Sequence, residues 1–184
     1  MPRVLVPLAQ GCEELEAVTV IDLLRRADIE VVTAALAEGP VRCSRGTVLL
    51  ADTLLDAVME TPFDMLVLPG GLPGATHLEA DERVQRLLKR HQAEGRFAAA
   101  ICAAPKVLAR AGLLAGRTAT SYPGALKGEE FPEVRLVDAP VVVDGKVVTS
   151  RGPGTAMDFA LQLIELLSGQ AKRIEVERAL VREG

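Results

Sequence analysis

The chain has 184 residues, of which 49% are hydrophobic and 25% are charged, and its formal net charge is −4. These proportions exclude an intrinsically disordered chain, and the length corresponds to one domain with a full apolar core. No run of 18 apolar residues occurs, which excludes a membrane-spanning helix, and without a signal-peptide pattern we expect a cytoplasmic protein. Because lysine and arginine are scattered along the chain, we expect no nucleic-acid partner and no membrane partner.

Short aliphatic runs alternate along the chain with segments of helical periodicity. The aliphatic runs predict strands at 4–8, 29–35, 65–68 and 97–101, and an extended segment at 41–50 broken by Gly46. Apolar spacing predicts helices through 17–24, through 84–88 with a stop at Gly95, over 103–111, over 156–167 with a stop at Gly169, and over 170–181. Asp144-Gly145 between two β-rich runs predicts a hairpin of 141–143 with 146–149.

Strands that are apolar on both faces and alternate with helices are typical of a parallel sheet covered on both sides. We therefore predict an α/β three-layer sandwich in which a mainly parallel sheet carries helices on both faces. No linker or shift in composition divides the chain, so residues 1–184 are predicted to form a single domain.

The end of the predicted strand at 97–101 places a cysteine where open α/β sheets bind their ligands. Cys102 follows this strand, and Pro105 is tolerated only in the first turn of a helix, so Cys102 lies at or just before a helix N-terminus. Unpaired amides at that position favour a thiolate, and we expect the thiol pKa to fall below about 8.5. Cys102 is either a nucleophile on a strand–turn–helix elbow or a small buried apolar residue.

Two further loops follow predicted strands. Gly70 and Gly71 could aim backbone N–H groups at a substrate oxygen as an oxyanion hole, or form an ordinary turn. Glu16 either faces inward across the strand ends, where its carboxyl could exchange a proton with a thiolate, or is solvated. For Glu13 and Glu14 we expect a solvated first helical turn.

Histidine and cysteine usage limits the other chemistry that is open to the chain. Three cysteines without a CxxC pair predict neither a structural disulfide nor a metal site, and we expect no cofactor. His77 is the only histidine placed to form a Cys–His dyad, since His91 has the register of a helix face. Arg151, before the helix at 156–167, could hold an anion.

Five segments together resemble the ThiJ/PfpI superfamily, in the branch of Parkinson disease protein 7 and its bacterial homologues. They occur in the order and spacing of the family, and the likeness runs from about Arg3 to Val181. The segments are residues 11–16 (GCEELE), 43–45 (CSR), 68–71 (LPGG), 99–105 (AAICAAP) and 149–155 (TSRGPGT).

The resemblance implies a flavodoxin-like sandwich that forms a homodimer and needs neither metal nor cofactor. It implies that Cys102 is an easily oxidised nucleophile and that a protonated Glu16 hydrogen-bonds its sulfur. The remaining implied site residues surround the substrate oxygen (Gly70, Gly71 and the Ala103 amide) or lie near the pocket and the dimer contact (Arg45 and Arg151). Activities implied by the family are glutathione-independent glyoxalase, removal of early glycation adducts, and chaperoning under oxidative stress.

The sequence departs from the family pattern at two positions. Many relatives have a histidine where residues 120–123 (TSYP) place Tyr122, and tyrosine, with a pKa of about 10, is a poor base at neutral pH. We therefore expect no peptidase or amidotransferase activity and assign proton transfer to Glu16. Cys12 replaces a small or hydroxyl residue, and we predict that it traps oxidised Cys102 as a disulfide.

The leading hypothesis is a cysteine-dependent enzyme that acts on methylglyoxal, glyoxal or the early glycation adducts of protein side chains. A second hypothesis is a non-enzymatic redox sensor or chaperone in which Cys102 is oxidised to the sulfinic acid. A third, less favoured because the histidine is missing, is a small-molecule hydrolase or hydratase. The first two use the same pair, Cys102 and Glu16.

Overall fold

A computed structural model describes residues 1–182; the predicted domain extends two residues further, and residues 183 and 184 lie outside the described part. Eleven strands occupy Arg3–Leu8 (β1), Glu30–Ala35 (β2), Val41–Arg42 (β3), Val48–Leu49 (β4), Thr53–Leu54 (β5), Met65–Leu68 (β6), Phe97–Ile101 (β7), Thr118–Ala119 (β8), Arg135–Leu136 (β9), Val141–Asp144 (β10) and Val147–Ser150 (β11). Six α-helices occupy Glu14–Arg26 (α1), Gly74–Ala80 (α2), Glu82–Ala93 (α3), Pro105–Arg110 (α4), Ala156–Ser168 (α5) and Gln170–Ala179 (α6).

The central sheet has seven strands in the order β10-β11-β7-β6-β1-β2-β5. All neighbouring strands are parallel except β10, which pairs antiparallel with β11 through the predicted Asp144-Gly145 hairpin. The chain goes from β1 to β2 on one side and returns through β6 and β7 on the other. The order therefore reverses between β1 and β6, the position where such sheets bind ligands beyond their carboxyl ends.

Successive residues of each central strand enter two different cores. Val4 and Val6 of β1 face α1 and α5, where Phe159 is fully buried. Leu5, from the same strand, faces the opposite core, which holds Leu87 of α3. Helices thus cover both faces of a mainly parallel sheet, which confirms the predicted three-layer sandwich.

The structure differs from the predicted elements where short capping signals interrupt a longer pattern. A separate helix, α2, precedes the helix that ends before Gly95, because Asp81 accepts a hydrogen bond from the Arg83 N–H and starts α3. α4 begins at Pro105 rather than residue 103, since residues 102–104 form the turn that leads into it. Of the described helices, none is long and apolar enough to cross a membrane.

Candidate active site

Cys102 lies on a sharp turn between β7 and α4. Its φ angle of +64° is in the left-handed region, which costs a non-glycine residue roughly 1–3 kcal/mol. Two hydrogen bonds hold this conformation: the Cys102 N–H donates to the Ser150 carbonyl (2.9 Å), and the Tyr122 N–H donates to the Cys102 carbonyl (2.8 Å). Cys102 therefore lies on the predicted strand–turn–helix elbow, is 8% exposed and lines a cleft.

Glu16 faces inward from the first turn of α1 and is fully buried. Its N–H donates to the Glu13 carboxylate (2.9 Å), which caps the helix, and its Oε2 accepts from the Gly70 N–H (2.8 Å). The other oxygen, Oε1, has no hydrogen-bond partner among the described residues. Burial raises the pKa of Glu16 to about 7, so a large share of this carboxyl carries a proton at neutral pH.

Gly70 separates Glu16 from Cys102 and leaves no room for a side chain. A Cβ at this position would lie 2.7 Å from the Cys102 Cβ and 2.7 Å from Glu16 Oε2. Because the Gly70 N–H is already bonded to Glu16, it is not free for a substrate oxygen. This corrects the role expected for Gly70: it brings the carboxyl against the thiol instead of forming the oxyanion hole.

The electrostatics of Cys102 differ from those expected at a helix N-terminus alone. Burial, followed by the charge and hydrogen bonding of Glu16, raises the pKa of Cys102 to about 12, whereas the Gly71 and Ala103 amides lower it. The expected lowering below about 8.5 is therefore wrong for Cys102 beside a charged Glu16. The two groups are coupled: at neutral pH the thiol keeps its proton and the carboxyl is about half protonated. A proton on Glu16 removes the charge that opposes ionisation of Cys102, and the Gly71 and Ala103 amides then favour the thiolate.

The cleft above Cys102 has a volume of about 550 Å³. Arg45, Gly71 and Ala103 line it, as expected. Arg151 is not among the lining residues, and its guanidinium pairs with Asp138. Other lining residues were not predicted from the sequence, among them Glu13, Ser44, Leu72, Pro123 and Pro153.

The sequence predicts a solvated first turn for Glu13 and Glu14, but both carboxylates accept hydrogen bonds from neighbouring residues. Glu13 lines the cleft and caps α1. Glu14 accepts hydrogen bonds from the Arg45 N–H (3.1 Å) and the Ser44 hydroxyl (3.4 Å), which holds the β3–β4 turn against the cleft. Glutamate is not among the residues preferred at helix N-caps, so the sequence carries no clear signal for the capping role of Glu13.

The histidines lie apart from Cys102. His77 lines a different cavity with Gln10 and Asp81, and His91 is buried, with Nδ1 against the Phe97 carbonyl (3.0 Å). Tyr122 lines the cleft with an exposed ring. The structure therefore does not form the Cys–His dyad considered for His77.

Cys12 lies beside a second cysteine. Its Sγ lies 3.7 Å from the Sγ of Cys43, and both residues are buried. The contact with Cys43 was not predicted from the sequence, and a disulfide of Cys12 with Cys102 stays a prediction. Among residues 1–182, no group of three or more histidine, cysteine, aspartate or glutamate side chains is arranged to hold a metal ion.

Comparison with known proteins assigns the chain to a family. Residues 2–166 match the model of the DJ-1/PfpI family. The chain belongs to the DJ-1/PfpI family. Protein dj-1beta of Drosophila melanogaster is 45% identical over 179 residues, which cover 96% of this chain and 95% of that protein. Its crystal structure matches this fold with a TM-score of 0.94 and 42% identity, covering 100% of this chain and 99% of that chain, and confirms the flavodoxin-like sandwich.

Two further relatives are similar over nearly their full length. The Parkinson disease protein 7 homologue of Danio rerio is 41% identical over 185 residues, covering 97% of this chain and 96% of that protein. The glutathione-independent glyoxalase DJR-1.2 of Caenorhabditis elegans is 36% identical over 163 residues, covering 89% and 87%. The resemblance to the branch of Parkinson disease protein 7 is confirmed.

Proposed function

We propose that this DJ-1/PfpI protein is a Cys102-dependent, cofactor-independent glyoxalase that converts methylglyoxal or glyoxal to the corresponding hydroxy acid. The observation that carries the proposal is the pairing of a buried Glu16 carboxyl, with a pKa of about 7, and the Cys102 thiol beneath a small cleft. A general acid/base is most effective when its pKa lies near the working pH. The glyoxalase name of the C. elegans relative supports the same reaction class.

The reaction begins from the minor form of the pair in which Glu16 carries a proton and Cys102 is a thiolate. The thiolate attacks the aldehyde carbon of methylglyoxal, and the developing alkoxide takes up a proton to give a hemithioacetal. The amides of Gly71 and Ala103 line the cleft at the sulfur and serve as donors to that oxygen.

Glu16 then transfers protons between the two carbons of the adduct. In its carboxylate form it removes the hydrogen of the former aldehyde carbon to give an enediolate, and it returns a proton at the neighbouring carbon. The hydroxyl proton of the first carbon passes to the oxygen of the second, which leaves the thioester of a hydroxy acid on Cys102. Water hydrolyses the thioester, which releases lactate and restores the thiol. The sum is methylglyoxal plus water giving lactate, with no external oxidant or reductant.

Early glycation adducts are a second substrate class for the same pair. The adducts of methylglyoxal with Cys, Lys and Arg side chains carry a carbinol carbon next to a carbonyl, the same two-carbon unit as the hemithioacetal. A cleft of about 550 Å³ is open enough to admit such a side chain. We infer deglycase activity as an extension of the glyoxalase mechanism, and free aldehyde as the primary substrate. Peptidase activity is not proposed, since Tyr122 lines the cleft in place of a histidine.

A redox function is the competing proposal. A sulfinate on Cys102 would accept hydrogen bonds from the Gly71 and Ala103 amides and from protonated Glu16, which would stabilise this oxidation state. Under this proposal the protein is a sensor or chaperone and has no turnover.

The deciding experiment measures lactate formed from methylglyoxal in a buffer free of amines and thiols. Wild type is compared with Cys102→Ala and Glu16→Gln, and with Cys43→Ala and Glu82→Gln as matched controls for a buried thiol and a first-turn carboxyl. We expect lactate from wild type and both controls, and a loss of at least about 100-fold in the two site variants. Lactate from none of the proteins, with Cys102 still oxidised by peroxide, would support the redox function instead.

We also infer a homodimer in the cytoplasm. Val18 of α1 and Leu50, directly after β4, are exposed beside one groove, and this apolar surface suits a second copy of the chain. The free thiols of Cys12 and Cys43, which lie next to each other in the fold, suit a reducing compartment. Sedimentation equilibrium of wild type and Leu50→Asp tests the dimer: we expect wild type to be dimeric and the variant to dissociate.

A further inference from the structure

Two cysteines that the proposed reaction does not use lie side by side inside the protein. The Sγ atoms of Cys12 and Cys43 are 3.7 Å apart, and neither residue is more than 4% exposed. Cys12 lies in the loop after β1, and Cys43 directly follows β3. The sulfurs are therefore in contact although 31 positions of the sequence separate them.

The backbone on both sides already has the spacing of a cross-link. The Gly11 N–H donates to the Arg42 carbonyl, and the Ser44 N–H donates to the Cys12 carbonyl, both at 2.8 Å. Segments bonded in this way run side by side about 4.8 Å apart. A disulfide needs Cα atoms roughly 4.4–6.8 Å apart and sulfurs at about 2.05 Å, so closure requires the sulfurs to approach by less than about 2 Å.

We infer that Cys12 and Cys43 are an oxidative modification site, which forms an intramolecular disulfide on exposure to hydrogen peroxide. Peroxide oxidises one thiol to a sulfenic acid and is itself reduced to water. The second sulfur attacks the sulfenic sulfur, which forms the S–S bond and releases a second water. Two thiols and one peroxide thus give one disulfide and two waters. Cys43, at 4% exposure against 0% for Cys12, is the sulfur that peroxide reaches first.

The cross-link would join two parts of the cleft wall. The backbone of Cys12 packs against Gly71, where an added Cβ would lie 2.9 Å from the Cys12 carbonyl carbon. Ser44 and Arg45, which follow Cys43, line the cleft on the other side. Oxidation therefore ties the β3–β4 turn to the loop that supports the Gly71 amide. We expect an oxidised protein with a higher Tm that reverts to its starting value on reduction.

The test uses the full chain in a Cys102→Ala background, so that only the two thiols remain. Burial raises the pKa of both thiols, so the oxidation is run at about pH 8.5, where more thiolate is present than at pH 7. After peroxide treatment, free thiols are alkylated under denaturing conditions and the tryptic peptides are analysed without reduction. We expect residues 4–25 linked to residues 43–45 (CSR), in protein that remains monomeric on a non-reducing gel.

The matched control is Cys12→Ser in the same background, which leaves Cys43 without a partner. It should show no linked peptide and no change of Tm that a reductant reverses. Wild type provides a second arm, because a link to residues 97–106 would identify Cys102 as the partner instead. A link to residues 97–106 or an intermolecular link would overturn the inference. So would full alkylation of both thiols at a peroxide dose that oxidises glutathione completely. None of these readouts depends on lactate formation, so the proposed glyoxalase activity is tested separately.

Discussion

A single proton governs the chemistry of the site at the scale of residues. Glu16 Oε1 is buried without a hydrogen-bond partner in the described part of the chain, and an unpaired buried acceptor costs about 1–3 kcal/mol. Protonating the carboxyl removes the charge that opposes ionisation of Cys102. Transfer of a proton from the Cys102 thiol to Glu16 therefore removes the buried charge of the carboxylate and forms the thiolate.

Replacing Glu16 by Gln should lower the pKa of Cys102. The charge and hydrogen bonding of Glu16 both raise it, and the Gln side chain keeps the shape of the carboxyl without its charge. The pH profile of Cys102 alkylation by iodoacetamide, followed on the peptide 97–106, should shift to lower pH by at least about one unit. Glu82→Gln, on the exposed start of α3, should leave the profile unchanged. A shift to higher pH would contradict the coupling between the two groups.

Gly70→Ala should damage stability and activity together. The added methyl would meet the Cys102 Cβ, Glu16 Oε2 and the Ile101 carbonyl at 2.7 Å, and backbone cannot move aside cheaply in this packed turn. We expect a loss of roughly 1–3 kcal/mol in the free energy of unfolding, measured with urea, and lactate formation reduced at least about tenfold. Gly128→Ala, where no atom lies within 4 Å of the new methyl, is the matched control and should behave as wild type.

The part of the site that could be predicted from sequence is the part encoded locally. The position of Cys102 at the start of a helix was predicted from Pro105, and the end of β6 was predicted from Gly70 and Gly71. The pKa of Cys102 and the use of the Gly70 N–H depend on the approach of α1 to β7, which no local pattern contains. For the same reason the contact of Cys12 with Cys43 was not predicted, since it arises from the docking of the β3–β4 turn.

At the scale of elements, a capping residue determines where one helix ends and the next begins. Asp81 ends α2 and begins α3, and its carboxylate accepts from the Arg83 N–H and pairs with the Arg83 guanidinium. The alternating strand pattern and the long helical stripes were sufficient to predict the sheet and helices α1, α3 and α5. The two-residue strands β8 and β9 were not predicted, because they carry too few residues for a period to be recognised.

Asp81→Ala should destabilise the protein by about 1–2 kcal/mol, because it removes the cap and leaves Arg83 without its nearest partner. Asp81→Asn keeps an oxygen that can accept from the Arg83 N–H and should lose less than half of that amount. Urea unfolding of the three proteins measures the difference. Equal losses in the free energy of unfolding for Asp81→Ala and Asp81→Asn would show that the ion pair, rather than the cap, stabilises the junction of α2 and α3.

At the scale of the whole molecule, the buried carboxyl makes stability depend on pH. The pKa of Glu16 is about 7 in the folded state against 4.5 for a free side chain, so the folded state holds this proton more strongly. The stabilisation is fully present below about pH 4.5 and is lost as pH rises through about 7, for a total of about 3 kcal/mol.

The difference between wild type and Glu16→Gln isolates this contribution from those of other groups. The free energy of unfolding of wild type relative to the variant should fall between pH 5 and pH 8, by up to about 3 kcal/mol. Urea titrations at both pH values measure it, with Glu82→Gln as the control that should show no such trend. A relative stability that rises with pH would mean that Glu16 is ionised in the folded protein.

The order of the strands has a consequence for how the protein becomes reactive during folding. Glu16 follows β1, Gly70 follows β6 and Cys102 follows β7, and the hydrogen bond from Gly70 to Glu16 alone spans 54 positions of the chain. Contacts between such distant segments form late, after the entropy of closing long loops has been overcome. A partly synthesised or partly folded chain therefore carries Cys102 as an ordinary thiol, without its acid or its turn. For the proposed glyoxalase, release of a hydroxy acid therefore requires the completed sheet, which brings Glu16 to Cys102, whereas an unfolded chain can form only the aldehyde adduct.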